Sequence, residues 1–435
     1  MPTQKEFFDS ALPRPEGLRW LYVDFNSYFA SVEQQLQPRL RGRPVIVVPV
    51  DTDYTSAIAA SYEAKAFGVR TGTPVHEAKR MCPGLVCVLA QHDQYVDFHQ
   101  RILRELDNHI PVTAVCSIDE MACRLLGRET EPARAQEIAR GIKAGLAKNV
   151  GAHVRCSIGF ASNRYLAKVA TDMQKPDGMV TLFPEDLPGR LLDLKLRDLP
   201  GIGYNMEKRL NIAGIWDVAT LFNYAPRHLR AVWGSIWGEK MWYYLRGYDI
   251  PEVETTRSSI GHSHVLAPEL RPPEEAFQVA RRLTMKCAAR LRRMGYSAGV
   301  LTLSIRLEEG PHLGLEAHCQ SAQDSFTFLR MLDDMWRGLM HELKGRRGIR
   351  IKKVSVTLLK LGEAGVHQTD LFDRLTAETI AVREKCEKIS AAVDKLNKRF
   401  GRDTVLHGMT PQQGKGFSGT KIAFTRIPDV DEFLE

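Results

Sequence analysis

Two apolar runs in this chain end in carboxylates. Leu21-Tyr22-Val23-Asp24 closes one on Asp24, and residues 114–120 (AVCSIDE) close the other on Asp119 and Glu120. An apolar run draws its strand into a sheet interior. A carboxylate at its edge is then half desolvated, which is costly unless a cation neutralises it. Three such carboxylates on neighbouring strand ends make an all-oxygen site for hard divalent cations. Two ions about 4 Å apart stabilise the attacking and leaving oxygens of a phosphoryl transfer. Taken alone, either cluster is more commonly a polar cap facing water. The pattern suggests this chemistry and leaves the plainer alternative open.

The elements that must carry these residues follow from periodicity and breakers. Residues 19–25 read as a strand, 27–37 as a helix closed by Pro38, and 44–50 as a second strand. Two short helices are expected over 62–69 and 73–81, and a longer one over 95–108. A strand over 112–118 should end at Asp119-Glu120. A helix over 132–149, a strand over 153–159 and a helix over 164–173 complete an α+β core of about 180 residues. Residues 186–254 differ: they read as short helices around Leu199-Pro-Gly-Ile-Gly203 and hold four of the six tryptophans. Residues 257–361 read β-α-β-β-α-β, a ferredoxin-like unit. One amphipathic helix over 376–400 and a Gly/Pro-rich tail follow.

Charge marks the same boundary. The net +8 is carried entirely by residues 257–360, with 18 Lys/Arg against 10 Asp/Glu; the rest of the chain has 42 of each. Such a block suggests a polyanion-binding domain, the alternative being a solubilising face. Its cations crowd one helix (Arg281, Arg282, Lys286, Arg290, Arg292, Arg293) and one turn with its strand (Lys344, Arg346, Arg347, Arg350, Lys352, Lys353). Nothing reads as a membrane span or a secretory signal. The eight cysteines form no CxxC pair, so neither a zinc site nor a disulfide framework is expected. A cytoplasmic, reducing location fits that usage.

Residues 20–34 (WLYVDFNSYFASVEQ), 61–74 (SYEAKAFGVRTGTP), 115–120 (VCSIDE) and 157–178 (SIGFASNRYLAKVATDMQKPDG) occur in one order along the chain. Together they resemble the signature blocks of the Y-family translesion DNA polymerases of the DinB/UmuC type, over roughly residues 18–372. The resemblance implies a right-hand fold: palm at 18–27 and 92–185, fingers at 28–91, thumb at 186–256, little finger at 257–361, and a tail at 362–435. It implies a low-fidelity, template-directed DNA polymerase acting across lesions in DNA repair and the SOS response. Its fingers are short and have little material to close on a base pair.

The resemblance also implies site roles. Asp24, Asp119, Glu120 and the backbone carbonyl of Phe25 would hold two Mg²⁺ ions, for which Mn²⁺ can substitute. Phe29 would be the steric gate against a 2′-hydroxyl, with Tyr28 beside it a core residue. Tyr62, Lys65 and Lys175 would meet the incoming dNTP. Gly201 and Gly203 would form a helix–hairpin–helix grip on primer–template DNA. The cations named above would meet phosphates without reading bases. Gln368-Thr-Asp-Leu-Phe372 resembles the peptide that binds the bacterial sliding (beta) clamp, with Gln368, Leu371 and Phe372 as anchors. Other proteins of an SOS mutagenesis complex are further expected partners. Three positions depart from the family: Lys65 stands where Arg is usual, Ala59 where a hydroxyl residue is common, and Asn26 where Asp is frequent. Lysine lacks the bidentate fork of arginine, so the triphosphate contact should be looser. The first two departures, like the tail, lean toward polymerase V-type members. The rival readings are a catalytically inactive clamp-bound adaptor and a DNA-binding protein that uses only the basic domain.

Overall fold

The computed structural model describes residues 15–252, 256–346, 348–364, 377–401, 404, 405, 408 and 427. Its contacts divide the chain into two compact units, the first running through Glu252. The first unit is built on a five-stranded sheet of order β5-β6-β1-β7-β8. Here β1 is Trp20–Phe25, β5 Ala114–Ser117, β6 Glu120–Arg124, β7 Cys156–Ala161 and β8 Met179–Thr181. The central strand β1 is apolar apart from Asp24 and is buried on both faces beyond Trp20. It runs antiparallel to both β6 and β7. A second, three-stranded sheet joins β2 (Val45–Val48), β3 (Ala59–Ala60) and β4 (Val86–Leu89). The helices between Tyr204 and Leu245 form an apolar cluster with helix Arg164–Met173.

One expected element is corrected. The strand before the acidic doublet does not run into it. It stops at Ser117, Ile118 and Asp119 make a two-residue turn, and Glu120 opens the return strand β6. A hairpin therefore replaces a strand end, because Met121, Ala122 and Cys123 supply a second buried run immediately after the turn. Strands β3, β4 and β8 were also not anticipated; at two to four residues they are too short to show a period.

The second unit has the expected β-α-β-β-α-β order. Its sheet runs β11-β10-β12-β9, from β9 (Ser259–Val265), β10 (Tyr296–Leu307), β11 (His312–Ala322) and β12 (Ile351–Glu363). Leu301, Leu303 and Ile305 on β10 and Val354, Val356 and Leu358 on β12 are buried in one core with the helices Pro273–Arg293 and Ser325–Glu342. Residues that alternate with them therefore point to the other, open face. Helix Ala377–Phe400 packs on the two helices of this unit. Among the described residues no helix is long and apolar enough to cross a membrane.

Candidate active site

The sheet register brings the first two carboxylates together. Asp24 near the end of β1 lies directly opposite Glu120 at the start of β6, a separation of about 5 Å between Cβ atoms. The Phe25 backbone N–H donates to the Asp119 carbonyl at 2.9 Å, which holds the hairpin turn against the same strand. Asp24 is 4% exposed. Tyr22 donates its hydroxyl to Glu120 Oε2 at 2.8 Å. Ser117 donates to Asp119 Oδ1 at 2.6 Å.

Two lysines stand among these acids. Lys168 Nζ pairs with Asp24, with Glu120 at 2.9 Å and with Asp172 at 3.4 Å. Lys175 Nζ lies 2.8 Å from Asp24 and 2.7 Å from Asp172. Lys168 and Asp172 occupy one face of helix Arg164–Met173 at i, i+4 spacing. That helix comes close because Gly159 on β7 has no side chain: a Cβ there would lie 2.1 Å from the Ala167 carbonyl oxygen. Asn163 caps the helix by accepting from the Leu166 N–H at 2.7 Å. The turn bearing Lys175 is latched by Asn26, which is buried. Its side chain accepts from the Asp177 N–H at 2.7 Å and donates to Ser157 at 3.1 Å. The amide at position 26 thus does a job that a carboxylate, without a donor, could only half perform.

The electrostatics follow from burial and crowding. Burial opposes the charge of Lys168, but Asp24, Asp172 and Glu120 outweigh it and hold the ammonium above its ordinary range. Lys175 is raised against burial chiefly by Asp24. The Asp119 carboxyl is pushed up to about 6, by burial first; the Ser117 hydroxyl pulls it down, and Asp24 and Glu120 push it further up. Burial and then Glu120 push the Tyr22 hydroxyl above its usual range.

The expected nucleotide residues lie in the same unit. Phe29 stacks on Tyr95 with ring centroids 4.4 Å apart. Tyr95 is fixed in turn by its hydroxyl on Glu33 at 2.7 Å, and its carbonyl accepts from Tyr28 at 2.7 Å. Tyr28 is buried, the core role expected for it. Lys65 donates to Ser27 Oγ at 2.7 Å and sits 4.4 Å over the Tyr62 ring. Burial, and then Lys175, lower the Lys65 pKa. Gly201 adopts φ +88° and Gly203 precedes helix Tyr204–Ile212; both are exposed, while Leu199 and Ile202 between and beside them anchor in the core.

The donor set suits a hard dication: Asp24, Asp119 and Glu120 offer only oxygens. Yet among the described residues no three His, Cys, Asp or Glu side chains stand in metal-ligating geometry. The carboxylates are neighbours, but Lys168 bridges Asp24 and Glu120 and Lys175 pairs with Asp24 from the side, because desolvated acids take the nearest cation. Sequence reasoning missed Lys168, Asp172 and Tyr22. The signal was present: Lys168 interrupts a run, 166–171, whose other members are all buried.

The basic unit departs further from expectation. Arg292 is not free for phosphate. Its guanidinium makes hydrogen bonds of 2.7 and 2.9 Å to Asp394, 2.7 Å to the Gln323 carbonyl and 3.2 Å to Ser325. Arg281 pairs with Asp333 at 3.0 Å, and Arg350 with Glu308 at 2.9 Å and the Pro268 carbonyl at 2.7 Å. These acids lie 42 to 102 residues away in sequence, so a charge count could not reveal the pairings. Lys286, Arg282 and Arg290 are half-buried; Arg293, Arg346 and Lys352 are exposed. Arg347 and Gln368, Leu371 and Phe372 lie outside the described residues. On the open sheet face Thr302, Ser304 and Arg306 of β10 stand opposite Thr357, Ser355 and Lys353 of β12.

Comparison with known proteins fits this geometry. Residues 23–172 match the impB/mucB/samB family and residues 257–371 its C-terminal domain; residues 197–249 match the thumb domain described for DNA polymerase iota. The chain is similar to the DNA polymerase IV of Moorella thermoacetica, 34% identical over 91% of this chain and 96% of that one. It is similar to the DNA polymerase IV of Pelotomaculum thermopropionicum at 31%, over 90% and 94% of the two chains. DNA polymerase IV 1 of Bacillus subtilis is 29% identical, over 89% and 92%. Its fold resembles a solved Dbh–Dpo4 Y-family polymerase chimera, with a TM-score of 0.67 and 22% identity over 79% of this chain and 99% of the other. These relatives are named polymerase IV, which corrects the lean toward polymerase V drawn from Lys65 and Ala59. Signature blocks, sheet register and whole-length similarity agree: the chain belongs to the impB/mucB/samB family of Y-family DNA polymerases.

Proposed function

We propose that this polymerase transfers a nucleotidyl group from dNTP to a primer 3′-hydroxyl across from damaged template, at the Asp24–Asp119–Glu120 site. The observation that carries the reading is the pairing of Asp24 opposite Glu120, with Lys168 and Lys175 already seated on them. Asp24, Asp119, Glu120 and the Phe25 carbonyl would hold Mg²⁺. Bound there, Mg²⁺ supplies counter-charge for the phosphates and acidifies the attacking hydroxyl.

The chain's own residues do the rest. Lys175, Lys65 and Tyr62 bind the triphosphate oxygens. Lys65, held on Ser27, offers a point charge without a fork. Phe29 is stacked on Tyr95, which holds its ring where a 2′-hydroxyl would meet it. In this reading the five-stranded sheet is the palm, residues 28–91 the fingers, 186–256 the thumb and 257–361 the little finger. Gly201 and Gly203 present backbone N–H groups to duplex phosphates. The open sheet face of the little finger, with Arg306, Lys353 and its hydroxyls, is the better phosphate surface, because among the described residues no acid pairs with those cations as Asp394 does with Arg292. Residues 368–372 tether the enzyme to the sliding clamp. The adaptor reading has no observation in its favour, since all three acids are retained.

Primer extension with Mg²⁺ and four dNTPs tests the proposal. Asp119→Ala with Glu120→Ala should lower the rate by on the order of 10³-fold or more. Wild type extending no better than this variant would end the enzyme reading.

A further inference from the structure

The family's chemistry needs cations at the three carboxylates, yet the chain already supplies one of its own. Lys168 touches Asp24, Glu120 and Asp172, and its side chain is 17% exposed. Asp172 touches both Lys168 and Lys175 and, at 34% exposure, is more open to solvent than Asp24 or Glu120. The helix thus carries a lysine that touches two sets of anions at once: the site acids Asp24 and Glu120, and its own i+4 neighbour Asp172.

We propose that Lys168 is a positioning residue that stands in for the divalent cation. Its ammonium holds Asp24 and Glu120 together before metal arrives, competes with metal for them, and withdraws to Asp172 when metal binds. The energetics favour such a device. Acids this close and this desolvated repel one another, which costs folding free energy unless a positive charge lies between them. An ammonium on a flexible stem can leave, whereas a second structural ion pair could not. Asp172 keeps the displaced charge partnered, so the exchange leaves no bare cation in a half-buried place. Lys175 touches Asp24 but not Glu120, so it cannot bridge the pair as Lys168 does.

The inference rests on the polymerase reading and can be tested apart from it. The measurement is Mn²⁺ binding to the full chain without DNA or dNTP, read by electron paramagnetic resonance, together with melting temperature in EDTA and in Mg²⁺. Lys168→Met keeps the stem and removes the charge. It should bind Mn²⁺ tighter by roughly tenfold or more. It should also melt lower than wild type in EDTA and regain that loss in Mg²⁺. Lys168→Arg, which keeps the charge, should stay near wild type in both readouts. Asp172→Asn removes the retreat and should weaken Mn²⁺ binding, and adding Lys168→Met should reverse that loss. Should Lys168→Met destabilise the chain too far to study, the Asp172→Asn single variant with the Lys168→Gln reversal decides alone. Unchanged or weaker Mn²⁺ affinity in Lys168→Met, with a raised KM for dNTP, would overturn the inference and make Lys168 a phosphate ligand. Wild type binding no Mn²⁺ that depends on Asp24 would overturn the polymerase reading and this inference together.

Discussion

The palm site and the little finger both mix acids with lysines and arginines, but they use them differently. In the palm the pairs join the proposed metal-holding acids to lysines beside them: Asp24 with Lys168 and Lys175, Glu120 with Lys168. On the reading proposed above, those pairs give way when ligands bind. In the little finger Arg292 ties helix Pro273–Arg293 to Asp394 on helix Ala377–Phe400, and Arg350 ties β12 to Glu308. Those pairs are part of the fold. A basic count therefore marks a candidate polyanion-binding domain, but not which of its side chains are already paired within the fold. Spacing-specific motifs name individual side chains, two of which, Asp24 and Glu120, the sheet register sets opposite each other.

Removing acids in the palm should have the largest effect, the near-total loss of extension expected for the Asp119→Ala/Glu120→Ala variant. Next in size is the sugar gate. Phe29→Ala should raise incorporation of ribonucleotides relative to deoxyribonucleotides by roughly 10²-fold, measured as a ratio of kcat/KM values. Unchanged sugar discrimination would remove Phe29 from that role. The clamp tether follows. Gln368→Ala, Leu371→Ala and Phe372→Ala together should abolish stimulation by the sliding clamp and spare extension without it. Stimulation that persists would show that the tether lies elsewhere.

A smaller effect sharpens the contrast between the two regions. Arg306→Ala with Lys353→Ala should weaken primer–template binding several-fold and lower the salt slope by about 2. Arg292→Ala should leave that slope alone and destabilise the little finger by roughly 2 kcal/mol in a denaturant titration. If Arg292→Ala changes the slope and the sheet-face pair does not, the helix face is the DNA surface after all. The smallest effect concerns pH. The Asp119 carboxyl is raised to about 6 in the metal-free chain. A raised acid destabilises the fold above that value and leaves it unaffected below its unfolded pKa. In EDTA, Asp119→Asn should therefore raise the melting temperature at pH 7.5 but not at pH 4.

Much of this was legible in the residues. Residues 20–25 and 114–118 announce their strands by their apolar runs, and the acids by their odd company. The β-α-β-β-α-β order could be read because its helices and strands are long enough to show a period. The hairpin between Ser117 and Glu120 could not, since a two-residue turn without Gly or Asn has no strong local signal. Lys168 was hidden in plain view within a matched block, because its partners Asp24 and Glu120 come from strands 144 and 48 residues away. Arg292 was misjudged for the same reason: its partner Asp394 lies 102 residues on. What escapes local reading is pairing across the chain, where tertiary contact alone decides whether a charge is free.

The central claim is that Asp24, Asp119 and Glu120 are brought together to hold magnesium beside a nucleotide. A crystal structure with primer–template, dNTP and Mn²⁺ tests it most directly through the anomalous signal of manganese. The account predicts manganese peaks bound by Asp24, Asp119 and Glu120, with Lys168 turned toward Asp172. Peaks elsewhere, with Asp24 still held by Lys168 in the presence of nucleotide, would contradict it.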